Sequence, residues 1–284
     1  MSARLPWVEL DAAGVGIPSL TVQLYRKAGD VLLGSFTDAG NGLYYIDHTI
    51  SEPIYVKVGA TRTRYDVALA VKAGADVVVV DGMQGGTAAT QDVFIEHVGI
   101  PTLPAVRLAV EALQELDMHR KVQLIVSGGI RSGADAGKAI AMGADAVAIG
   151  SATMVALGCN KPVHIEDYHK LGTEPGMCHH CHTGKCPVGV TTQDPELQKR
   201  LSPEQGARWL RNYLSVMVLE LQTVARACGK SHVHNLEPDD LVALTVEAAA
   251  MAGIPLAGTD WIPGRGKYCY DADTTKNAHQ GGLP

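Results

Sequence analysis

The sequence has little of what a nucleic-acid-binding protein needs. Its 24 lysine and arginine residues are outnumbered by 30 aspartate and glutamate residues, which gives a formal net charge of -6, and no basic run stands out. A chain with this balance displaces few counterions from a phosphate backbone, so nucleic acid is not an expected partner. Hydrophobic residues make up 46% of the 284 residues. That content is enough to bury one large core, or one core and a small appendage.

Signals for export or membrane insertion are also lacking. Residues 1–11 contain no basic segment followed by an apolar run, which is the pattern of a secretory signal. The apolar stretch 139–157 is broken by Asp145 and by several glycines, so it does not suit a membrane-spanning helix. The sequence therefore predicts a cytoplasmic protein without a membrane span.

Cysteine is scarce and unevenly placed. Of the six cysteines, Cys228 and Cys269 are isolated, which favours a structural role for both. In a reducing compartment a close group of cysteines favours metal binding over disulfides. The group consists of Cys159, Cys178, Cys181 and Cys186.

Three regions follow one another along the chain. Residues 1–50 alternate apolar and polar positions between turn-rich clusters, which predicts a short antiparallel β segment. In residues 51–201, apolar strands alternate with alanine-rich helical stretches that stop at glycine, as in βα units around a parallel sheet. Residues 202–284 predict a helical extension. The predicted parallel strands are 54–58, 76–81, 102–106, 123–127 and 146–150.

The repeated βα units fit either a (β/α)8 barrel or a doubly wound sheet. Two of them echo each other, because a helix ends at Gly74 or Gly143 and feeds a buried strand. Glycine-rich turns follow two successive strands, after Ser127 and Ile149. A barrel builds its phosphate site after its last two strands, so we favour a TIM-type barrel.

The C-terminal extension is predicted to contain two helices. The first has an apolar stripe, and the second follows Pro238 and ends near Gly253. Such stripes usually pack on the core of the same chain, and a homo-oligomer contact is the alternative. The stripe consists of Leu210, Leu214, Met217, Leu221 and Val224.

The segment 127–133 has the residue types of a phosphate-binding turn. It follows an apolar strand and opens a helix, so bare backbone N–H groups and the helix dipole can hold a dianion. Gly150 and Ser151 end the next strand and complete the cradle. A tight βα turn without a ligand is the alternative for either motif alone. The candidate cofactor-binding residues are Ser127, Gly128, Gly129, Ile130, Arg131, Gly150 and Ser151.

Two further segments reach the same edge of the predicted sheet. Lys57 lies near the end of the first strand, where a cation stabilises negative charge on a reduced flavin. An ordinary surface lysine is the alternative. Gly85, Gly86 and Thr87 follow the second strand and bring polar groups to the same rim, unless they only form a glycine turn.

The spacing Cys178-x2-Cys181-x4-Cys186-Pro187 is the most specific signal. Thiolates at short loop spacing wrap around one cluster, and proline directly after a ligand cysteine recurs in ferredoxin-type sites. Histidines lie among these cysteines, so a structural zinc site is the competing interpretation. Thiols that bind no metal are the third interpretation.

Together these segments resemble the FMN-binding synthase domain of glutamate synthase. The match covers about residues 53–201 and is carried by segments 56–58, 81–88, 127–133 and 156–159, and above all by CHTGKCPVGVTTQDPEL at 181–197. Segments 235–241 and 258–263 resemble stand-alone relatives that include the large subunit of N-methylglutamate synthase.

The resemblance implies a (β/α)8 barrel that holds FMN beside a 3Fe-4S cluster. Hydride from FMN would reduce 2-iminoglutarate, formed from 2-oxoglutarate and ammonia, to glutamate. Lys57 would touch the flavin, and the cysteines would ligate the cluster. The phosphate of FMN would be bound by Gly128, Gly129, Gly150 and Ser151. The substrate side would be lined by Gly85, Gly86 and Thr87. The chain would then act as an oxidoreductase on CH-NH2 donors, with separate amidotransferase and electron-donor chains.

Two features depart from the family pattern. An insertion separates Cys159 from Cys178, so either is the third ligand, or all four cysteines hold a 4Fe-4S cluster. The segment before residue 50 also does not resemble early βα units, so the predicted barrel is incomplete at its N-terminal units. Two alternative functions follow: an N-methylglutamate synthase-type transferase that uses methylamine, and a cofactor-poor structural or electron-relay subunit.

Overall fold

The computed structural model describes residues 52–83, 93 and 97–264, and the backbone of residues 2–8, 23–26, 31–35, 37–38 and 43–49. The N-terminal strands form two antiparallel sheets, as predicted for a β segment. One sheet has the order β1-β5-β4, and β2 pairs with β3 in the other. These strands are β1 (Ser2–Val8), β2 (Gln23–Arg26), β3 (Val31–Ser35), β4 (Thr37–Asp38) and β5 (Leu43–Thr49).

Four parallel strands form the sheet that positions the site. They lie side by side in chain order, and helices connect them in a repeated βα pattern. A sequential order without reversal is that of a (β/α)8 barrel rather than a doubly wound sheet. The described residues thus form an incomplete TIM-type barrel. The strands are β6 (Tyr55–Gly59), β7 (Val77–Asp81), β8 (Gln123–Ser127) and β9 (Ala146–Ala148), and the helices are α1 (Thr63–Lys72), α2 (Thr102–Glu115) and α3 (Gly133–Ala141).

The register brings the carboxyl ends of these strands to one edge. Gly59 pairs with Asp81, Asp81 with Ser127, and Ser127 with Ala148. In barrels and open parallel sheets this edge carries the ligand site. The motifs that follow the strands are therefore neighbours in space.

The helices cover one face of the sheet. Val78, Val80, Leu124 and Val126 are fully buried in a core that they share with α1, α2 and α3. Burying such aliphatic side chains contributes about 1.5–3 kcal/mol each. On the opposite face of β6, Tyr55 is 63% exposed. That face would line the interior of a closed barrel.

A short sequence unit recurs at the amino edge of the sheet. Gly74 and Gly143 end α1 and α3 with φ of +97° and +113°, a conformation that favours glycine. Two residues later, the carboxylate of Asp76 accepts the N–H of Ile54 at 2.9 Å, and that of Asp145 accepts the N–H of Leu124 at 2.8 Å. Each unit thus joins a helix end to the start of the neighbouring strand.

The predicted strand 102–106 is wrong. These residues begin α2, and Ala105, Val106, Ala109 and Leu113 lie on its buried face. Spacings of three and four residues place them on one side of a helix. Pro104 is tolerated because the first turn of a helix needs no intrahelical donor. The fourth strand is also shorter than predicted, since it ends at Ala148.

The C-terminal part of the described chain is helical. Its helices are α4 (Ser151–Leu157), α5 (Ile165–Lys170), α6 (Pro195–Gln198), α7 (Pro203–Ala227) and α8 (Val246–Ala252), with 3-10 turns at Pro162–His164, Val233–Asn235 and Pro238–Asp240. The long helix α7 packs on α3, where a Cβ on Gly133 would lie 2.2 Å from the carbonyl oxygen of Met217.

The predicted helices of this region are correct in outline. In the stripe of α7, Met217 is buried, whereas Leu214 and Val224 are 39% and 37% exposed. The second helix ends at Gly253 as predicted, but it begins at Val246 because Pro238 opens only a 3-10 turn. No helix in the described ranges is long and apolar enough to cross a membrane.

Candidate cofactor and thiol sites

The turn after β8 presents bare backbone to an open space. Gly128 and Gly129 have φ of +105° and +72°, which side chains rarely adopt. A Cβ on Gly128 would lie 2.6 Å from Thr102 Oγ1, whereas one on Gly129 meets nothing within 4 Å. Gly128 is therefore required by packing, and Gly129 borders the space where a ligand fits.

The next strand end completes an open cradle. Gly150 directly precedes α4, and a Cβ on it would also meet nothing within 4 Å. Within the described part of the chain, the N–H groups of Gly129 and Ile130 donate to no protein acceptor. Ile130 is 8% exposed and anchors the turn in the core. Free N–H groups in a glycine turn suit an anion such as a phosphate.

The first turn of α3 is already satisfied by protein groups. Glu220 of α7 accepts the N–H of Gly133 at 2.9 Å, Asp135 accepts that of Arg131 at 3.1 Å, and Ser132 accepts that of Asp135 at 3.2 Å. The prediction that the dipole of this helix holds the dianion is therefore unsupported, because carboxylates occupy its amino end. The N–H groups of Gly129 and Ile130, which precede Arg131, remain available to a ligand.

Thr102 is a site residue that sequence reasoning missed. Its hydroxyl lies 3.1 Å from the carbonyl oxygen of Ser127 and 2.7 Å from that of Gly128, so it can donate to either. A Cβ on Gly82, after β7, would lie 2.0 Å from the same hydroxyl. Thr102 thus fastens the start of α2 to the turns after two strands. Pro101, which often precedes a helix, was the only local signal.

We expect Thr102→Val to loosen this turn. Losing the hydroxyl leaves the Gly128 carbonyl without its donor, at a cost of about 1–2 kcal/mol in the free energy of unfolding. Because the turn holds the open N–H groups, affinity for a phosphate-containing ligand should fall about tenfold. Urea unfolding and ligand titration measure the two effects. Thr102→Ser, which keeps the hydroxyl, is the control, and equal behaviour of the two variants would contradict the role.

Lys57 reaches the carboxyl edge through an ion pair. Its Nζ lies 2.8 Å from Oδ2 of Asp81, and the two side chains are 59% and 21% exposed. Both lie on the face that would be interior to a barrel. The predicted residues Gly85, Gly86 and Thr87 lie outside the described residues. The side chain of Arg131 is 79% exposed and pairs with Asp135, while its carbonyl oxygen accepts the Tyr213 hydroxyl at 2.7 Å.

The four clustered cysteines form a second site beside α5. Cys186 is 7% exposed and packs with Tyr168 and Val188, and Cys178 packs against this group. Cys159 is half-buried and Cys181 is exposed. All four are free thiols. Sequence spacing predicted the group, and Cys159 interacts electrostatically with the other three thiols across the insertion.

The pKa values show how these thiols differ. Burial raises the pKa of Cys159 to about 11, with smaller contributions from Cys181, Cys186 and Cys178. Burial also raises the pKa of Cys186, but backbone N–H groups of Thr191, Val190 and Val188 outweigh it and lower the pKa overall. A thiolate at Cys186 is therefore favoured by the turn that follows it.

One polar atom close in sequence to Cys159 has no hydrogen-bond partner. The side-chain oxygen of Asn160 is buried without one, although such atoms are usually satisfied. No three His, Cys, Asp or Glu side chains within the described ranges are placed to hold a single metal ion. The described residues thus show neither the zinc site nor the iron-sulfur site that the spacing predicts, and both stay predictions.

The chain is similar to known proteins of one family. The model of a conserved region in glutamate synthase matches residues 46–231. The glutamate synthase large subunit-like protein of Rhizobium meliloti is 69% identical over 217 residues, which are 76% of this chain and 49% of that protein. The archaeal glutamate synthase (NADPH) of Methanocaldococcus jannaschii is 39% identical over 212 residues, which are 73% and 38% of the two chains.

Among solved structures, a mutant flavocytochrome b2 with benzoylformate aligns with a TM-score of 0.43 at 16% identity, covering 83% of this chain and 42% of that one. The chain spans about half the length of the Rhizobium relative and less than half of the archaeal one. The family match covers well over half of the chain and includes all four parallel strands and the four clustered cysteines. This chain belongs to the glutamate synthase family.

Proposed function

We propose that the chain carries the FMN and iron-sulfur sites of a cytoplasmic glutamate synthase-type oxidoreductase, which reduces 2-iminoglutarate, formed from 2-oxoglutarate and ammonia, to glutamate. One observation carries the proposal: an open glycine cradle and a lysine cation lie at the same carboxyl edge of one parallel sheet. Bound FMN would supply the hydride. Separate amidotransferase and electron-donor chains are part of the proposal.

The cradle would hold the phosphate of FMN. Gly129 and Ile130 offer N–H groups, and Gly129 and Gly150 leave the space that a phosphate needs. Ser151 follows Gly150 and is exposed at the same edge, where its hydroxyl can donate to a phosphate oxygen. The described residues provide these groups without rearrangement of the core.

Lys57 would supply positive charge beside the isoalloxazine ring. Its Nζ pairs with Asp81 although the lysine side chain is 59% exposed, so the carboxylate favours a cation at this edge before a ligand binds. Negative charge that develops on the ring during reduction would be stabilised by this ammonium.

We expect Lys57→Met to lower the reduction potential of bound FMN by at least about 30 mV, which for a two-electron couple is a tenfold loss. The variant removes a cation and leaves the partly buried Asp81 carboxylate unpaired, and both changes disfavour added negative charge. A dye-equilibrated titration measures the potential. Lys72→Met, at the exposed end of α1, is the matched control. An unchanged potential in the Lys57 variant would contradict its placement beside the ring.

The proposed reaction is tested by glutamate formation. The purified chain with FMN, reduced iron-sulfur site, 2-oxoglutarate and a chemical reductant is supplied with ammonium, glutamine or methylamine. We expect glutamate from ammonium and none from glutamine. Four of the five described cysteines belong to the proposed cluster site, and the fifth, Cys228, is exposed at the C-terminal end of α7, whereas a glutaminase nucleophile needs an activating base beside it. N-methylglutamate from methylamine would support the transferase alternative. Flavin binding without any product would refute the proposed reaction.

A further inference from the structure

Both edges of the parallel sheet are open among the described strands. The order β6-β7-β8-β9 leaves β6 and β9 with one neighbour each. Strands β1 to β5 pair with one another in separate antiparallel sheets, so they do not extend this one. An open strand edge presents unpaired N–H and C=O groups, which favour pairing with a further strand.

The face of the sheet away from the helices is only partly covered. On the helix side Val78 and Val126 are fully buried, whereas Val79 and Ile125, which alternate with them along the strands, are half-buried. Tyr55 of β6 is 63% exposed on the same open face. Branched aliphatic side chains at such positions fill the interior of a closed barrel. The open face thus has the residue types of a barrel interior.

Exposed apolar side chains are concentrated at the two ends of the helix layer. Helix α1, after β6, exposes Tyr65 and Leu69 at 75% and 68%, and we call these two residues the α1 pair. Helix α7, which lies beyond β9 in the chain, exposes Leu214 and Val218 at 39% and 53%, and these are the α7 pair. In α2 and α3, whose residues are all described, no large apolar side chain is exposed. Residues four apart share one helix face, so each end of the layer has an uncovered apolar surface.

We propose that a second copy of this chain closes the barrel. Two copies of a four-stranded half supply the eight strands of a TIM-type barrel. A two-fold axis along the barrel would place β9 of each copy beside β6 of the other, which pairs both open edges at once. It would also bring the α7 pair of one copy against the α1 pair of the other, because helices follow the order of their strands around a barrel. A contact of this kind closes after two copies and leaves no open edge.

Closure would also complete the mouth at which the candidate cofactor site lies. In one copy the Lys57 side chain is 59% exposed, and the turns at Gly129 and Gly150 border open space. A cofactor pocket usually buries most of its ligand, which one open half of a barrel does not do. The second copy would place its own Lys57 beside β9. The inference rests on the sheet and the helices and not on the proposed reaction, so association is measured without flavin.

The mass of the full chain in solution tests the proposal. Light scattering should give twice the 30.0 kDa of one chain over chain concentrations of about 1 to 100 μM. Leu69→Glu should give the mass of one chain, because an unpaired charge is costly to bury at an interface. Leu244→Glu is the matched control and should keep the doubled mass, since Leu244 is 84% exposed in the segment before α8, which packs on α2. Circular dichroism of both variants checks that the fold is kept.

A mixture of two variants tests the contact between the helices. Val218→Lys changes the α7 pair and should also give single chains. Mixed with Leu69→Glu, it should restore the doubled mass, because one contact is then unchanged and the other joins opposite charges. A mixture that stays at the mass of one chain would overturn the side-by-side arrangement of α1 and α7.

Other outcomes would overturn the proposal in distinguishable ways. A parent chain that stays single over the whole concentration range would show that a second copy does not close the barrel. Assemblies that keep growing with concentration would show edge pairing without closure. A doubled mass that Leu69→Glu and Val218→Lys both leave intact would place the contact elsewhere. Flavin titration is a separate measurement: a two-chain species that binds no FMN would refute the proposed cofactor site alone, and a single chain that binds FMN would refute the closure alone.

Discussion

Gly129→Ala is expected to weaken FMN binding by at least about 100-fold, which corresponds to about 2.7 kcal/mol. A Cβ at this position would contact no protein atom, so the loss of affinity would come from a clash between the methyl group and the ligand. The methyl group would occupy the space where the phosphate approaches the N–H groups of Gly129 and Ile130. Flavin fluorescence titration measures the affinity.

The glycine at position 229 provides a matched control. Gly229 lies past the C-terminal end of α7, has the same φ of +72° as Gly129, and also has nothing within 4 Å of a built Cβ. Both alanine variants should therefore lose about 1–2 kcal/mol of stability from the left-handed conformation. Only Gly129→Ala should lose flavin. Equal flavin affinity in the two variants would refute the phosphate cradle.

Cys186→Ala is expected to abolish the visible absorbance of an iron-sulfur cluster. Cys186 is the most buried of the four thiols, and three backbone N–H groups favour its thiolate. Without this thiolate a bound cluster would lose one of its ligands, and the exposure of Cys181 shows that solvent and oxidants reach this part of the chain. We expect less than about a tenth of the parent iron content after aerobic purification, an order-of-magnitude loss in keeping with removal of a ligand.

The control for this variant is Cys228→Ala, which removes an exposed thiol at the end of α7. It should keep the full absorbance. Because Cys186 also packs against Tyr168, unfolding in urea must be measured on both variants without metal. Loss of absorbance with similar stability supports a ligand role. Purified parent protein with stoichiometric zinc and no iron would contradict the cluster.

The local features of both candidate sites could be predicted from short stretches of neighbouring residues. A glycine-rich turn after an apolar strand, glycine stops at Gly74 and Gly143, and the spacing of Cys181 and Cys186 each depend on neighbouring residues. Their backbone conformations follow from short-range sterics and hydrogen bonds. The parallel βα pattern could be predicted for the same reason, since hydrophobic periodicity and glycine stops are local signals. The strand predicted at 102–106 failed because a short apolar run fits a helix as well as a strand.

Contacts between residues far apart in sequence could not be predicted and follow from the packing of the whole fold. The contact of Thr102 with Gly128, the pair of Lys57 with Asp81, and the bond from Gly133 to Glu220 join residues far apart in sequence. Such contacts depend on strand register and on helix packing, which no local pattern specifies. For the same reason the spacing left Cys159 and Cys178 as alternatives, whereas the fold packs Cys178 against Tyr168 and Cys186. The closeness of these two thiols to Tyr168 is thus a property of the packed chain, because burial around Tyr168 holds together segments that the sequence separates.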